Sequence, residues 1–335
     1  MEFGIFDQLP CAPSQKPVGR YQDIIGQCQL ADKLGLDSVW LAEYHFSPRF
    51  SIMPAPLLVA SAIAQCTERV KIGTAVNLLP LHQPVRLAEE VATLDVLSRG
   101  RALFGIGRGS NASHYEGLGI PVDEGRPRFM EALDIVLRAW TEDRLTYEGQ
   151  YYHVPGVQVV PKPYQQPHPP VYIAANSPDT FPLVGVLGHN ILVTPLIITS
   201  EGVQQRLELY RQKLMEHGHD PAQVKVIPTL TACVAESRKK AHAILEPTVN
   251  NYLSIVRQGR SQGARRAMSL TYDEIFKDFA IAGDPQECID RIAEFREMFD
   301  CQGFMLWLNI GGLVSNEDVC SSMRMFAEKV IPHFR

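Results

Sequence analysis

The stretch RVKIGTAVNLLPLHQPVRLAEEVATLDVLSRGRALFGIGRG, residues 69–109, decides the fold. RVKIGTAV is a short β-branched run that ends in small residues. PVRLAEEVATLDVL has a helical period that puts Val85, Ala88, Val91, Leu94 and Leu97 on one face. Pro84 suits the first turn of that helix and Gly100 its stop. RALFGIG is a second apolar strand. A strand, a helix of this length and another strand make a βαβ unit, whose strands run parallel. Polar residues follow both strands at once, Asn77 after the first and Arg108 after the second. Ligands of parallel sheets sit at the carboxyl ends of the strands, so this stretch predicts a site for something anionic.

The same rhythm runs outward in both directions. Strands are expected at 2–9, 37–44, 69–76, 101–107, 171–175, 191–194, 225–235 and 304–310, with helices between them. Strict alternation gives an α/β fold with parallel strands, and eight of them favour a closed (β/α)8 TIM barrel over an open doubly wound sheet. The chain, 1–335, reads as one domain with two interruptions. Near 144–170, LTYEGQYYHV reads as a small hairpin and is followed by a Pro-rich connection. Residues 246–280 are polar and broken, with Gly259, Gly263 and the pair Arg265–Arg266, and read as an insertion. Two helix starts are expected from capping residues: Ser177 followed by Pro178, and Ser200.

Composition bounds the function. A 335-residue chain with 45% hydrophobic and 21% charged residues can bury a large core. A net charge of -5 argues against general nucleic-acid binding, which needs a basic footprint. The seven cysteines are scattered and include no C-x-x-C pair, as expected of thiols in a reducing compartment. Residues 1–4 begin no basic and apolar leader, and no apolar run is long enough to span a membrane. A soluble cytoplasmic enzyme is the expectation.

Several segments together resemble the bacterial luciferase-like flavin monooxygenases: MEFGIF, VWLAEYHF, KIGTAVNLLPLHQPVRLAEEVATLDVLSRGR, FGIGRG, AANSPDT, and the tail from NIGG to MRMFAEKVIPHF. Their order and spacing carry the likeness nearly end to end. It implies the same barrel reached from the strand count. It further implies a usually dimeric, two-component monooxygenase. Such an enzyme takes reduced FMN from a separate flavin reductase, reacts it with O2 through a flavin hydroperoxide, and oxygenates a small organic substrate. The resemblance leaves that substrate open.

The likeness also assigns roles. Arg108, in GIGRG, is implied to bind the FMN phosphate; on residues alone it serves equally as a rim ion pair. Asn176, Ser177 and Thr180 lie at a strand end and helix start, a position that suits phosphate. The resemblance gives Ser177 and Thr180 that role, whereas residues alone favour ordinary capping by Ser177. Ala75–Val76 matches a non-prolyl cis peptide beneath the flavin ring, and the Asn77 amide is placed to bond the flavin edge or form a turn. His45 is the candidate acid–base residue, beside Glu43 and Tyr44. The luciferases carry two adjacent histidines here, and Tyr44 replaces the first. Tyrosine is a poor base at neutral pH, so proton transfer falls on His45 or the reaction needs less of it. This departure argues against assuming light emission from a long-chain aldehyde. His82 is placed beside the same face, and Glu43 is placed to orient a neighbour or reach Arg108. His217 and His219, in EHGHD, read as a solvated turn and not as a metal site. The insertion at 246–280 falls where the luciferases carry a lid, with Tyr252, Arg265 and Arg266 as candidates to face the site. Two other readings stand beside the monooxygenase: a deazaflavin-dependent oxidoreductase of the same fold, and a non-catalytic flavin-binding subunit.

Overall fold

The computed structural model describes residues 1–258 and 267–335. Its strands are β1 (Glu2–Asp7), β2 (Ser38–Leu41), β3 (Lys71–Thr74), β4 (Asn77–Leu78), β5 (Ala102–Gly107), β6 (Leu145–Glu148), β7 (His153–Val157), β8 (Val171–Ala174), β9 (Asn190–Val193), β10 (Val226–Val234), β11 (Ala280–Gly283) and β12 (Gly303–Trp307). Its helices are α1 (Pro17–Leu34), α2 (Pro56–Cys66), α3 (Pro84–Leu97), α4 (Ala112–Gly117), α5 (Gly125–Thr141), α6 (Thr180–Leu187), α7 (Ser200–Glu216), α8 (Arg238–Gln258), α9 (Tyr272–Phe279), α10 (Pro285–Phe299) and α11 (Asn316–Met325).

Eight parallel strands close into a ring in the order β1, β2, β3, β5, β8, β9, β10, β12, with β12 pairing back to β1. Each overlaps one of the eight stretches expected from sequence. The ring has two layers of apolar packing. Outward residues such as Phe3, Val39, Ile72, Phe104 and Ile106 join the helix shell. Inward residues such as Phe6, Trp40, Leu103, Tyr172, Leu192, Met305 and Trp307 fill the barrel. Small residues make room for the largest of these. A Cβ on Gly73 would lie 2.3 Å from the Trp40 ring, and one on Gly4 would lie 3.0 Å from its Nε1.

Two strands went unforeseen. β4 continues beyond β3 and pairs with β5, Asn77 opposite Ile106. β11 begins at Ala280, the last residue of the stretch read as a polar insertion, and extends the sheet along the far end of β10. The described part of that stretch, 246–258 and 267–280, is mostly helical. It holds the second half of α8, then α9, whose start has a reciprocal Thr271–Glu274 capping box. Gly259, Gly263, Arg265 and Arg266 lie outside the described residues. The 144–170 interruption is the expected hairpin, β6 antiparallel to β7.

Helix details also correct the sequence reading. In α3 the buried face is Leu87, Ala88, Val91 and Leu94, while Leu97 is 45% exposed. Asp95 shares the buried face because its carboxylate accepts from the Gln165 backbone and side-chain amides, at 2.8 and 2.7 Å. The cap of α7 is Thr199, one residue before Ser200, with its hydroxyl accepting from the Gly202 N–H. All cysteines are free thiols. Among the described residues, no helix is long and apolar enough to cross a membrane.

Candidate active site

The carboxyl ends of the barrel strands open onto one trough with two ends. The apolar end is a cavity of about 360 Å³, lined by aromatic residues from β1, β12, α8 and the segment that follows β2. The polar end is lined by Arg108, Ser177, Thr180, Thr199 and Arg206. Tyr44, Val76, Ser110, Asn111, Ala174, Asn176 and Ile197 face both, so the two ends are continuous.

At the polar end, Arg108 follows β5 with an exposed side chain that makes no ion pair among the described residues. The Ser177 hydroxyl lies 2.7 Å from the Thr180 hydroxyl and donates to Asp179 at 2.6 Å. The expected Ser177 cap is corrected here. Helix α6 begins at Thr180, and no side chain caps its first turn. The Ser177–Asp179 bond draws the hydroxyl into the preceding turn, and the N–H groups of α6 have no side-chain acceptor. Asp179 is neutralised by an ion pair with Arg126. Arg206, on α7, is a half-buried second cation facing the same trough, its guanidinium 5.9 Å from the Phe181 ring centroid. Sequence reasoning missed both Arg126 and Arg206, because each sits inside a helix where no local motif distinguishes it.

The wall between the ends is backbone-thin. The Ala75–Val76 peptide is cis, and both residues face the apolar end. Gly107 lies behind Val76: a Cβ there would stand 2.6 Å from the Val76 Cγ2. Asn77 differs from its expected role. It is fully buried and faces neither end, and its amide N and O have no partner among the described residues. Its strand position turns it away from the cavity that Val76 and Leu78 face.

The cluster after β2 divides differently from the sequence reading. Glu43 is 4% exposed and accepts from His45 Nε2 at 2.7 Å, His82 Nε2 at 2.8 Å and the Leu78 N–H at 2.9 Å. Burial alone would raise its pKa, but the hydrogen bonds from His45 and His82 and the backbone bond from Leu78 outweigh it and lower the pKa to about 2. Burial pulls His82 down, yet its bond to Glu43 and that charge leave its pKa raised. Glu43 therefore orients neighbours and does not reach Arg108. His45 is turned to Glu43 and lines neither end of the trough. Tyr44 lines both. Its hydroxyl accepts from Asn111 Nδ2 at 3.1 Å, which leaves its own hydrogen unused, and burial raises its pKa. His114, absent from the sequence reading, faces the polar end with its ring edge against Tyr44 at 4.5 Å. Burial, and then the nearby His45, lower its pKa to about 4. Of this cluster, Tyr44, His114 and Glu43 line the trough.

Elsewhere, His217 and His219 stay at the end of α7, their ring nitrogens bonded to the Lys213 and Val186 carbonyls. No metal-ligating cluster occurs among the described residues. Tyr252, on α8, faces the apolar end as expected.

The luciferase-like monooxygenase family model matches residues 1–300. The chain belongs to that family. It is 28% identical over 351 residues to the oxygenase component of a flavin-dependent trigonelline monooxygenase of Acinetobacter baylyi, covering all of this chain and 96% of that one. A monooxygenase from Streptomyces bottropensis superposes with a TM-score of 0.90 at 28% identity over both full chains. Two further structures share the fold. One is the oxygenating constituent of the FMN-bound 3,6-diketocamphane monooxygenase of Pseudomonas putida (TM-score 0.86, 20% identity, covering 99% of this chain and 98% of that one). The other is an F420-dependent secondary alcohol dehydrogenase (0.80, 21%, covering 100% and 99%). The chain is an enzyme of the flavin-dependent monooxygenase class.

Proposed function

We propose that this luciferase-like monooxygenase is the oxygenase of a two-component system, taking reduced FMN from a separate flavin reductase and using O2 to oxygenate a small organic substrate. The carrying observation is the polar end of the trough: the unpaired Arg108 faces the Ser177 and Thr180 hydroxyls at the uncapped start of α6. That donor set matches a phosphate. Asn176, Ala75 and Val76 would flank the ring, in the thin stretch of wall behind which Gly107 leaves no room for a side chain. Bound reduced FMN supplies the two electrons with which one atom of O2 leaves as water while the other enters the substrate.

The protein's own part is to bind, orient and exclude water. Arg108 with Ser177, Thr180 and Arg206 holds the phosphate. Tyr44, fixed by Asn111 and stacked on Phe50 at 4.3 Å, presents a phenolic hydrogen to the reacting groups. Tyr44 is thus the catalytic donor, and His45 acts through Glu43 as a positioning residue. The test is anaerobic titration with reduced FMN, followed by mixing with O2. Bound reduced FMN should be reoxidised with kinetics distinct from the free flavin; failure to bind it would remove the proposal.

A deazaflavin cofactor is the rival, because an F420-dependent enzyme shares the barrel. Parallel titrations with FMN and F420 separate them, and tighter binding of F420 would favour hydride transfer without O2. The family's usual homodimer is also proposed for this chain. Leu58 on α2 is 75% exposed, and Val96 and Leu97 on the neighbouring α3 are 41% and 45% exposed.

A further inference from the structure

The apolar end of the trough has a composition that oxygenation by itself does not require. Tyr44, Phe50, Tyr252, Trp307 and Phe6 face it in one unbroken run of ring contacts. Tyr44 stacks on Phe50, Phe50 meets Tyr252 at 5.9 Å, and Trp307 meets both Tyr252 and Phe6 edge-on at 5.3 and 5.4 Å. Among the described residues, no Asp, Glu, Lys, Arg or His lines this end. Its polar groups are neutral, and two on the aromatic wall lack partners. The Trp307 indole N–H is buried beneath the wall and has no acceptor among the described residues. The Tyr252 hydroxyl, in a residue 6% exposed, makes no hydrogen bond among the described residues.

These facts select a ligand chemistry. An ion brought here would lose its water without a counter-charge, which is costly. Aromatic walls reward flat rings through edge and stacking contacts beyond the area they bury. Buried N–H and O–H donors without acceptors reward an oxygen that meets them. A long alkyl chain would bury area but satisfy few ring contacts.

We propose that the substrate is an uncharged aromatic ring system carrying a carbonyl or hydroxyl oxygen, seated on the Tyr44–Phe50–Tyr252–Trp307 wall with that oxygen accepting from the Tyr252 hydroxyl. This rests on reading the trough as the oxygenation site. It narrows the open substrate to one class, and it sets aside aliphatic aldehydes and charged rings.

The test is equilibrium binding to the full chain, with and without oxidised FMN, by calorimetry. The probes are α-tetralone, tetralin, naphthoate, N-methylquinolinium and decanal. Tetralone should bind tightest. Tetralin, which lacks only the oxygen, should bind roughly three- to tenfold more weakly, the worth of one hydrogen bond. The two charged probes should bind at least about tenfold more weakly. In Tyr252→Phe the tetralone advantage should vanish while tetralin binding, which reports an intact pocket, persists. Equal or tighter binding of a charged probe or of decanal overturns the proposal. So does a tetralone advantage that survives in Tyr252→Phe. Competitive displacement of tetralone by FMN also overturns it, because the aromatic wall would then be the flavin's own seat. FMN binding without tetralone binding rejects the substrate class alone; tetralone binding without FMN binding rejects the oxygenase reading alone.

Discussion

Glu43 shows how single residues divide the labour of the site. Its carboxylate gathers His45, His82 and the Leu78 N–H, so the charge is buried but fully bonded. The pH signs follow. A carboxylate lowered from 4.5 to about 2 gives stability that is present above 4.5 and lost as pH falls toward 2. A His82 raised above 6.5 gives stability that is full below 6.5 and lost as pH rises through its folded pKa. The stability difference between wild type and Glu43→Gln, from urea unfolding, should therefore peak between pH 4.5 and 6.5. A flat difference would mean the pair is not coupled. In a histidine NMR titration, His82 should titrate above 6.5 and His114 near 4, and Glu43→Gln should move His82 downward. Little of this was legible in the sequence. Arg108, Ser177, Thr180 and the Ala75–Val76 position stand in motifs, so they could be named. Asn111 and His114 meet Tyr44 across about seventy residues of chain, and no local pattern records such a meeting. The direction of the His45 ring was equally illegible, because it is set by Glu43 and not by its place after the strand.

At the scale of elements, hydrophobic period carried most of the fold. Eight apolar runs became eight barrel strands because each packs a helix outside and a side-chain layer inside. β11 escaped because AIAG, with one isoleucine among three small residues, carries only a weak strand signal beside a polar stretch. The start of α6 was misplaced because Ser-Pro is a strong cap signal that the Ser177–Asp179 bond overrides. Packing tolerances make a sharp element-level prediction. A Cβ at Gly105 would lie 1.7 Å from the Thr74 carbonyl oxygen, which backbone cannot yield, so Gly105→Ala should cost about 1–3 kcal/mol or more in urea unfolding. At Gly107 the obstacle is the Val76 side chain, so Gly107→Ala should weaken FMN binding with a smaller stability loss. A reversed order of the two stability losses would contradict this packing.

For the whole molecule, a closed barrel places every functional side chain at one end, so sites distant in sequence share a single trough. A net charge of -5 offers no basic footprint for a nucleic acid. Light scattering after size exclusion should give the mass of a homodimer of 37.4 kDa chains; the mass of one chain would reject the proposed dimer. The most direct test of the account is paired binding of FMN and riboflavin to wild type and Arg108→Ala, followed by flavin fluorescence. A charge-assisted phosphate contact is worth about 1.5–3 kcal/mol, so Arg108→Ala should weaken FMN roughly ten- to hundredfold and leave riboflavin nearly unchanged. Equal losses for the two flavins, or none for either, would contradict the placement of a flavin phosphate on Arg108.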